Sequence, residues 1–515
     1  MASSAAQEYI RLLAHHENAE LALLACSAAL RLDDEVASQI IHLVAQSNGS
    51  TRKLLRRIKS LGCVWRHWDG TWNIAEDIRL GLAEDLDELP EATTTELRKC
   101  LSAHAANLVE NLPPDEPVNV YRRRQAALES AYHLLFIPAE TQRGAEQLVE
   151  VWQTATGQAA QDATAESVGY LAREIRDRLR HLPLEVIFLQ GMAARARRNK
   201  NDQLKYFGEV YEQGRERERE LTQPGYICAV AAHHYGLVVR DPDTAERAYR
   251  DSLRWYEEPT HRRIVLHSLA VLIGKDRRRN RWEEAEGYLM ESLDLRDDPE
   301  DKGQVYHSLG NLLSKNPQRW AEAEKAYKQS LAVARDAHSK AERWHSLGNL
   351  LSQDKNKERW AAAEDAYKQS LKVDKDARSQ GQTWNSLGNL LSKQPARRQQ
   401  TEEAYSLSLR LRDNAADKAQ TLTSWGNFLS RLDSPEDLYQ AEHFAQEAMR
   451  IDPHRLRTKA ACSHILANVY EKLGHYEKAI AALEAEIEAD RKQGRKGGEH
   501  LLRNRIEALR RLSQG

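Results

Sequence analysis

Hydrophobic and polar residues alternate with a helical period through most of the chain, most clearly between residues 340 and 373. Apolar side chains there recur at spacings of three and four, which places them on one side of a helix. Two such stripes follow one another: Trp344, Leu347, Leu350 and Leu351, then Trp360, Ala363, Tyr367 and Leu371. The pattern predicts two packed amphipathic helices. Gly348 and Ala363 mark their crossing, where a side chain larger than alanine would push them apart.

This pattern recurs along the chain with a nearly constant period. The segment Gly-Asn-Leu-Leu-Ser begins at Gly310, Gly348 and Gly388, and a looser copy begins at Gly426. The glycines are 38, 40 and 38 residues apart. Self-similarity at such a period predicts a stacked array of helical hairpins, which is an all-α solenoid. An array of this kind presents a long surface and does not by itself build a catalytic pocket.

The repeated unit resembles the tetratricopeptide repeat, in which an aromatic residue and Leu-Gly are followed by alanine and an aromatic residue in a second helix. The units are Tyr306/Leu309/Gly310 with Ala323/Tyr327, Trp344/Leu347/Gly348 with Ala363/Tyr367, Trp384/Leu387/Gly388 with Ala404/Tyr405, Trp425/Gly426 with Ala441/Ala448, and Leu466/Ala467/Tyr470 with Tyr476/Ala479. Degenerate copies begin near Tyr235 and Leu269. The resemblance implies a right-handed superhelix whose concave face holds an extended peptide or a partner protein.

The repeat is longer than the family's usual period of about 34 residues. The additional residues lie between the paired helices, as in the polar segment 353–358. We expect them to extend as loops from one edge of the array, either as a second contact surface or as tolerated length.

The limits of the repeat pattern set the expected domains. Four segments are distinguished: a winged-helix-like domain at 1–90, a helical linker with divergent repeats at 91–222, tetratricopeptide-like repeats at 223–490 and a C-terminal capping helix at 491–515. Because the ends of a stack expose apolar surface, a final amphipathic helix is expected to cover the last repeat.

Residues 1–90 carry a different pattern, in which helices are followed by a hairpin. Periodic stretches predict helices at 5–15, 18–31, 33–46 and 51–61. Asp69-Gly70 then separates two short aromatic-rich runs and favours a two-residue turn, because both central residues need positive φ. Helices followed by such a small β-hairpin predict a winged helix-turn-helix.

The N-terminal module resembles the winged-helix domain of bacterial STAND-type signalling ATPases. The matching features are Leu54-Leu55, Leu61-Gly62, the Asp69-Gly70 turn and the segment from Ile74 to Arg79. In that family the domain commonly precedes a helical-repeat sensor. No GxxxxGK[ST] phosphate loop occurs in this sequence, so nucleotide hydrolysis is not indicated. The resemblance implies a sensor or adaptor in bacterial signalling or phage defence, with the effector enzyme on a separate chain.

Charge and cysteine content narrow the class further. The chain has 75 Lys+Arg against 77 Asp+Glu, so net charge gives no general attraction to nucleic acid or membranes. Five cysteines are far apart and form no CxxC pair, which fits reduced thiols better than disulfides or a zinc site. The N-terminus lacks the pattern of a signal peptide, and no run of 18 apolar residues occurs. We expect a cytoplasmic protein.

The first candidate site is a polar row on the first helices. It consists of Asn311, Asn349, Asn389, Asn427 and Asn468, preceded four residues earlier by His307, His345, Asn385, Thr423 and His464, and followed three residues later by Ser314, Ser352, Ser392 and Ser430. If the array resembles other tetratricopeptide proteins, the asparagines face the groove, where an amide offers both a donor and an acceptor to a peptide backbone. The alternative is that these asparagines make only local helix contacts.

The second candidate site is the basic face of the helix at 51–61. It consists of Arg52, Lys53, Arg56, Arg57 and Lys59, with Arg66 in the hairpin. No acidic residue occurs from Thr51 to Trp68. Such a face would bind DNA phosphates in a winged helix. The alternatives are a solvated helix face or a surface that packs on acidic segments such as 84–88.

Other chemistry finds little support in the sequence. The histidines of the first candidate site are separated by whole repeats, about 10 Å, too far to share a metal. Neither HExxH nor GxSxG occurs, and we expect no catalytic residue and no cofactor. The sequence favours a non-enzymatic scaffold, adaptor or sensor that binds a partner protein or peptide. The alternative is a DNA-binding regulator in which the repeats receive a signalling peptide.

Overall fold

The computed structural model is largely helical. It describes residues 19–45, 51–61, 63–67, 71–82, 85–86, 88–113, 117–155, 157–179, 182–220, 225–276, 280–354, 356–495 and 498–514. The chain divides into two compact units, residues 1–268 and 269–515. The helix predicted at 5–15, the start of the helix near Gly49-Ser50 and the Asp69-Gly70 turn lie outside the described residues.

The first unit begins with three short helices and a two-stranded sheet. The elements are α1 (Ala19–Ser27), α2 (Asp34–Ala45), α3 (Thr51–Lys59), β1 (Val64–Arg66), β2 (Trp72–Ile74) and α4 (Glu76–Gly81). The strands pair antiparallel with Val64 opposite Ile74, so the strands predicted on either side of Asp69-Gly70 are present. A further bridge joins Leu32, between α1 and α2, to Trp72 of β2.

Trp72 lies at the centre of this region and is fully buried. It shares a hydrophobic core with side chains of α1, α2 and α3, and Leu97 and Leu101 of the following helix belong to the same core. The Trp72 indole donates to Asp34 Oδ1 at 3.1 Å, and Lys59 Nζ donates to the same oxygen at 2.7 Å. One carboxylate therefore joins α2 to both β2 and α3.

The rest of the described first unit consists of helices, most of which pack against the next along the chain. They are α5 (Glu91–Asn111), α6 (Pro117–Leu135), α7 (Thr141–Gln153), α8 (Gln158–Arg178), α9 (Leu184–Ala196), α10 (Lys200–Arg219), α11 (Gly225–Val238), α12 (Pro242–Trp255) and α13 (Pro259–Lys275), whose last turns belong to the second unit. In two pairs a first-helix glycine lies against a second-helix aromatic ring. These contacts are Gly191 on Phe207 and Gly236 on Tyr249.

The second unit is a regular series of helical hairpins. After α14 (Trp282–Asp294) come α15 (Pro299–Leu313), α16 (Trp320–Val333), α17 (Ala337–Gln353), α18 (Lys357–Val373), α19 (Ala377–Leu391), α20 (Arg398–Leu411), α21 (Ala415–Leu429), α22 (Pro435–Ile451), α23 (Leu456–Lys472), α24 (Tyr476–Lys492) and α25 (Glu499–Gln514). We number the hairpins 1 to 5, from α15/α16 to α23/α24, and call the members of each the first and second helix.

Contact between glycine and tyrosine fixes the helix crossing in hairpins 1 to 3. A Cβ added to Gly310, Gly348 or Gly388 would lie 2.6 to 2.7 Å from the ring of Tyr327, Tyr367 or Tyr405, respectively. The sequence pattern allowed alanine at this crossing, whereas the structure excludes even that methyl group. The helices approach this closely because the ring fills the space that a side chain would take.

The connections within the hairpins are short, so the expectation of extended loops is wrong. Only residues 354–356 separate the two helices, because α17 continues through Gln353 and α18 begins at Lys357. A tryptophan at the start of the second helix holds the connection, since Trp360 Nε1 donates to the carbonyl of Asp354 at 2.6 Å. Trp320 makes the equivalent bond to Ser314 at 3.0 Å in hairpin 1.

Candidate binding surface on the first helices

The predicted asparagines occupy equivalent positions on the first helices. In hairpins 1 to 3 the asparagine Oδ1 accepts a hydrogen bond from the tyrosine hydroxyl of the second helix. The pairs are Tyr327–Asn311 at 2.8 Å, Tyr367–Asn349 at 2.8 Å and Tyr405–Asn389 at 2.9 Å. Burial raises the pKa of Tyr327 and of Tyr367 to about 12, so these hydroxyls stay protonated and donate.

These bonds determine which side of each amide is free. Because Oδ1 faces the tyrosine, the two N–H groups of Nδ2 are left for another partner. Nδ2 of Asn311, Asn349 and Asn389 has no hydrogen-bond acceptor among the described residues. Asn311 and Asn389 are exposed, and Asn349 is half-buried. Each of these hairpins therefore presents a pre-oriented donor.

In hairpins 4 and 5 no described tyrosine hydroxyl orients the asparagine. In hairpin 4 the residue at the tyrosine position is Ala445, which has no hydroxyl to orient Asn427. In hairpin 5 Asn468 Oδ1 accepts from Arg505 Nη2 of α25 at 2.8 Å, and Arg505 Nε also donates to Glu471 at 2.8 Å. The C-terminal helix thus engages the last asparagine, so the oriented donors are confined to hairpins 1 to 3.

The residues four positions before the asparagines join neighbouring first helices. His307 Nε2 lies 2.9 Å from Ser346 Oγ, and His345 Nδ1 lies 3.0 Å from Thr383 Oγ1. His345 is 9% exposed and Asn385 only 3%, and burial lowers the pKa of His345 to about 4. This row therefore packs between hairpins, and these two residues do not lie on the open surface.

The other predicted polar residues also make contacts within the protein. His464 Nδ1 lies 3.3 Å from Glu486 on the second helix of hairpin 5. The serine hydroxyls donate back to the asparagine carbonyls of their own helices, at 2.9 to 3.0 Å. The serines concerned are Ser314, Ser352 and Ser392. Ser352 Oγ also lies 3.3 Å from the Tyr367 hydroxyl.

Three further rows share the exposed stripe with the asparagines, and the sequence interpretation missed them. Seven residues before each asparagine stand Gln304, Glu342, Gln382 and Gln420; three residues before stand Ser308, Ser346, Ser386 and Ser424; four residues after stand Lys315, Gln353, Lys393, Arg431 and Lys472. All four residues of the first row are exposed. Their signal was present in the spacings of seven, three and four, which keep residues on one helix face.

The lysines of the last row join the ends of successive first helices. Lys393 Nζ donates to the Ser352 carbonyl at 2.6 Å, and Lys472 Nζ donates to the Arg431 carbonyl at 2.9 Å. Lys315 makes the same kind of bond to Gly274. A cation at a helix C-terminus is favoured by the free carbonyls and the helix dipole. The basic residues of this row therefore lie along one edge of the surface.

The second helices are tied together by a separate set of ion pairs. In hairpins 1 to 3 an arginine at the start of the second helix reaches a glutamate on the helix one hairpin earlier. The pairs are Arg319–Glu286, Arg359–Glu324 and Arg397–Glu364. The Arg397 side chain holds the pKa of Glu364 at about 2. These ion pairs join successive second helices.

The N-terminal basic residues fall into two groups. Arg52, Lys53, Arg56 and Arg57 are exposed on α3 and have no ion pair among the described residues. Lys59 pairs with Asp34 at 2.7 Å, and Arg66 Nη2 donates to the Lys59 carbonyl at 3.3 Å. The neighbouring Trp65 is 64% exposed. Four of the six predicted phosphate-binding residues are therefore free to meet a ligand.

The described part of the chain contains no group of three or more His, Cys, Asp or Glu side chains placed to hold a metal ion. No described helix is long and apolar enough to cross a membrane.

Comparison with known proteins identifies the repeat type at the C-terminal end. Residues 461–496 match the family model of the tetratricopeptide repeat. No curated protein sequence matches the chain significantly. Among solved structures, yeast Tom70 is similar at 13% identity, with 85% of this chain and 93% of that chain covered and a TM-score of 0.44. The Rap protein complexed with competence and sporulation factor is similar at 14% identity, with 68% and 97% covered and a TM-score of 0.42. The sequence of hairpin 5 is thus similar to the tetratricopeptide repeat.

Proposed function

We propose that this protein is a non-enzymatic adaptor or sensor that holds an extended segment of a partner protein on the first helices of hairpins 1 to 3. The observation that supports the proposal is the row of asparagine amides whose Oδ1 atoms are occupied by tyrosine hydroxyls. Amide N–H groups complement the backbone carbonyls of an extended chain and do not select among its side chains.

The spacing of the row suits an extended polypeptide. Packed helices lie roughly 8 to 10 Å apart, and an extended chain advances about 3.3 Å per residue. Successive asparagines would therefore meet carbonyls about three residues apart. A segment of roughly ten residues would be enough to reach all three hairpins.

The N-terminal module extends the proposal to a biological setting. Its resemblance to the STAND winged-helix domain suggests a sensor or adaptor in bacterial signalling or phage defence. The effector enzyme would then be a separate chain that acts once the partner is bound.

The proposal is tested with peptides selected from a random library against the intact protein. Replacing Asn349 and Asn389 with alanine should weaken the dissociation constant of a selected peptide by about tenfold or more, because two hydrogen bonds are lost. Gln399→Ala and Gln440→Ala, at exposed positions of second helices, form the matched control and should change nothing. Equal affinity for both double variants would reject the proposal.

A second candidate function is DNA binding by the N-terminal module. A winged helix has a strand between its first two helices, and the bridge from Leu32 to Trp72 lies at the corresponding place, between α1 and α2. Its α3 then carries four exposed, unpaired cations where phosphates would lie. The specific support for this candidate is the coincidence of that strand order with that charge.

Charge reversal separates the two candidates. Changing Arg52, Arg56 and Arg57 to glutamate should abolish retention of a random-sequence duplex, and the wild-type affinity should fall steeply from low to physiological salt. The control reverses three exposed cations elsewhere in the first unit: Lys200, Arg219 and Arg240. Unchanged retention in the α3 variant, measured by fluorescence anisotropy, would exclude DNA binding through α3.

A further inference from the structure

A cavity of about 360 Å³ lies between the first helices of hairpins 2 and 3. Its walls include Glu342, His345 and Ser346 of α17 and Gln382 and Thr383 of α19. The turn after α18 contributes Asp374, which is 6% exposed. The cavity also borders Asn349 of the asparagine row. Its volume is at the lower end of the range for ligand sites, roughly 300 to 1,000 Å³, which suits one side chain.

His345 presents an unused hydrogen-bond acceptor in this wall. The Thr383 hydroxyl donates to the Ser379 carbonyl at 3.1 Å, so at the 3.0 Å contact with His345 the imidazole Nδ1 is the donor. Because burial keeps the ring neutral, its single proton is on Nδ1, and Nε2 carries a lone pair. Nε2 is buried and has no hydrogen-bond partner. Buried polar atoms are rarely left in this state.

Asp374 supplies a buried carboxylate in the same walls and has no salt bridge among the described residues. It accepts the backbone N–H of Asp376 at 3.0 Å. The lining residues include no lysine or arginine, and His338 is their one other titratable base. Buried carboxylates are normally paired, and the exposed Glu342 adds a second negative charge, so the walls form an anionic pocket.

The equivalent positions of hairpin 1 lack both the unused histidine acceptor and the buried carboxylate. In hairpin 1 the equivalent histidine, His307, has its Nε2 bonded to Ser346. Ala334 occupies the place of Asp374 at the end of the preceding second helix. Asn385, one repeat after His345, likewise leaves its buried Oδ1 without a partner. The acceptors are therefore concentrated beside the centre of the asparagine row.

We infer that this cavity binds a lysine or arginine side chain of the polypeptide held on the first helices. The cation would pair with Asp374 and Glu342 and donate to His345 Nε2. This inference rests on the proposed function: the asparagine row would hold the backbone, and the cavity would supply the preference for a basic residue at one position.

The cavity is tested with n-butylammonium, which has the charge and length of a lysine side chain. Its binding is followed in intact protein labelled with ¹⁵N-histidine, with the His345 signal assigned from His345→Asn. Millimolar n-butylammonium should shift that signal saturably, whereas n-butyrate and n-butanol of the same length should not. Asp374→Ala, which introduces the residue found at Ala334 in hairpin 1, should weaken the response about tenfold or more. His307→Asn serves as the matched control and should respond like the wild type.

Three results would overturn the inference: no shift, an equal shift with n-butyrate, or an unchanged response in Asp374→Ala. Selected peptides give a second measurement, since lysine or arginine should recur at one position and lose its benefit in Asp374→Ala. The two proposals fail separately. If asparagine variants leave peptide affinity intact while n-butylammonium still binds at His345, only the proposed function is rejected.

Discussion

One tyrosine per hairpin serves both the packing and the surface of hairpins 1 to 3. The Tyr367 ring lies where a side chain on Gly348 would be, and its hydroxyl orients Asn349. The two roles are linked, because the glycine lets the ring come close enough for its hydroxyl to reach the asparagine one residue further along the helix. The Gly-Asn pair that recurs in the sequence is explained by this single contact.

Substitution of this glycine should be costly even for alanine. The new methyl group of Gly348→Ala would lie 2.7 Å from the Tyr367 ring, so the free energy of unfolding should fall by about 1 to 3 kcal/mol. Urea denaturation measures the change. Gly287→Ala is the control, because this exposed helical glycine has no atom within 4 Å of an added Cβ. It should stabilise by about 0.5 to 1 kcal/mol. If both variants gained stability, the packing argument would be wrong.

The second helices depend on charge for their stacking. Arg397 reaches from the start of α20 to Glu364 on α18, with Nη2 to Oε1 at 3.0 Å. Similar arginine bridges lie at the start of α16 and α18. The first helices instead stack through neutral hydrogen bonds such as that of His307 with Ser346.

The arginine bridge should make a measurable, pH-dependent contribution. The pKa of Glu364 is about 2 in the folded protein, below its ordinary value of 4.5. The stabilisation is therefore present above pH 4.5 and lost as the pH falls from there toward 2. Glu364→Gln should cost about 1 kcal/mol at pH 7, and less at pH 3.5. Glu403→Gln, at an exposed position of α20, should cost little at either pH. An equal loss for the two variants at pH 7 would contradict the bridge's role.

The helices could be predicted from sequence better than the directions of their side chains. The Gly-Asn-Leu-Leu-Ser repeat gave the hairpins and the asparagine row, because both depend on a period visible along the chain. The sequence could not show that His345 faces a neighbouring helix while Glu342 is exposed. Both share a helix face with Asn349, and which of them is outward depends on how the next hairpin packs.

The features that could not be predicted from the sequence depend on contacts between residues distant along the chain. The tyrosine that orients Asn349 is 18 residues away along the chain. The arginine that donates to the Asn468 side chain is 37 residues away. Both contacts join different helices, so no pattern along a single helix predicts them. The prediction of extended loops at 353–358 was wrong for a related reason. Polar sequence there is compatible with exposed helix ends as well as with loops, and the bond from Trp360 to Asp354 closes the turn.

At the scale of the whole molecule, buried histidines should make the first unit sensitive to acid. Burial lowers the pKa of His233 to about 3 and of His261 to about 4. In the unfolded chain both histidines bind protons near pH 6.5, so the free energy of unfolding is highest above that pH. It should fall by roughly 1.4 kcal/mol per pH unit for each histidine as the pH drops toward 4.

Urea denaturation at pH 7.5 and 5.0 measures this effect. The combined variant His233→Gln, His261→Gln should lose much of the difference between the two pH values, because its side chains do not titrate. His454→Gln, at an exposed position of the second unit, is the control and should retain the wild-type difference. If the double variant were as acid-sensitive as the wild type, these histidines would not be the cause.

An ester scan tests the central claim, that amides oriented by tyrosines hold the backbone of a partner segment. Each backbone amide of a selected peptide is replaced in turn by an ester, which weakens its carbonyl as an acceptor. Affinity should fall at positions about three residues apart, and one of these losses should disappear in Asn349→Ala. Losses at every position, at none, or unchanged by Asn349→Ala would contradict the claim.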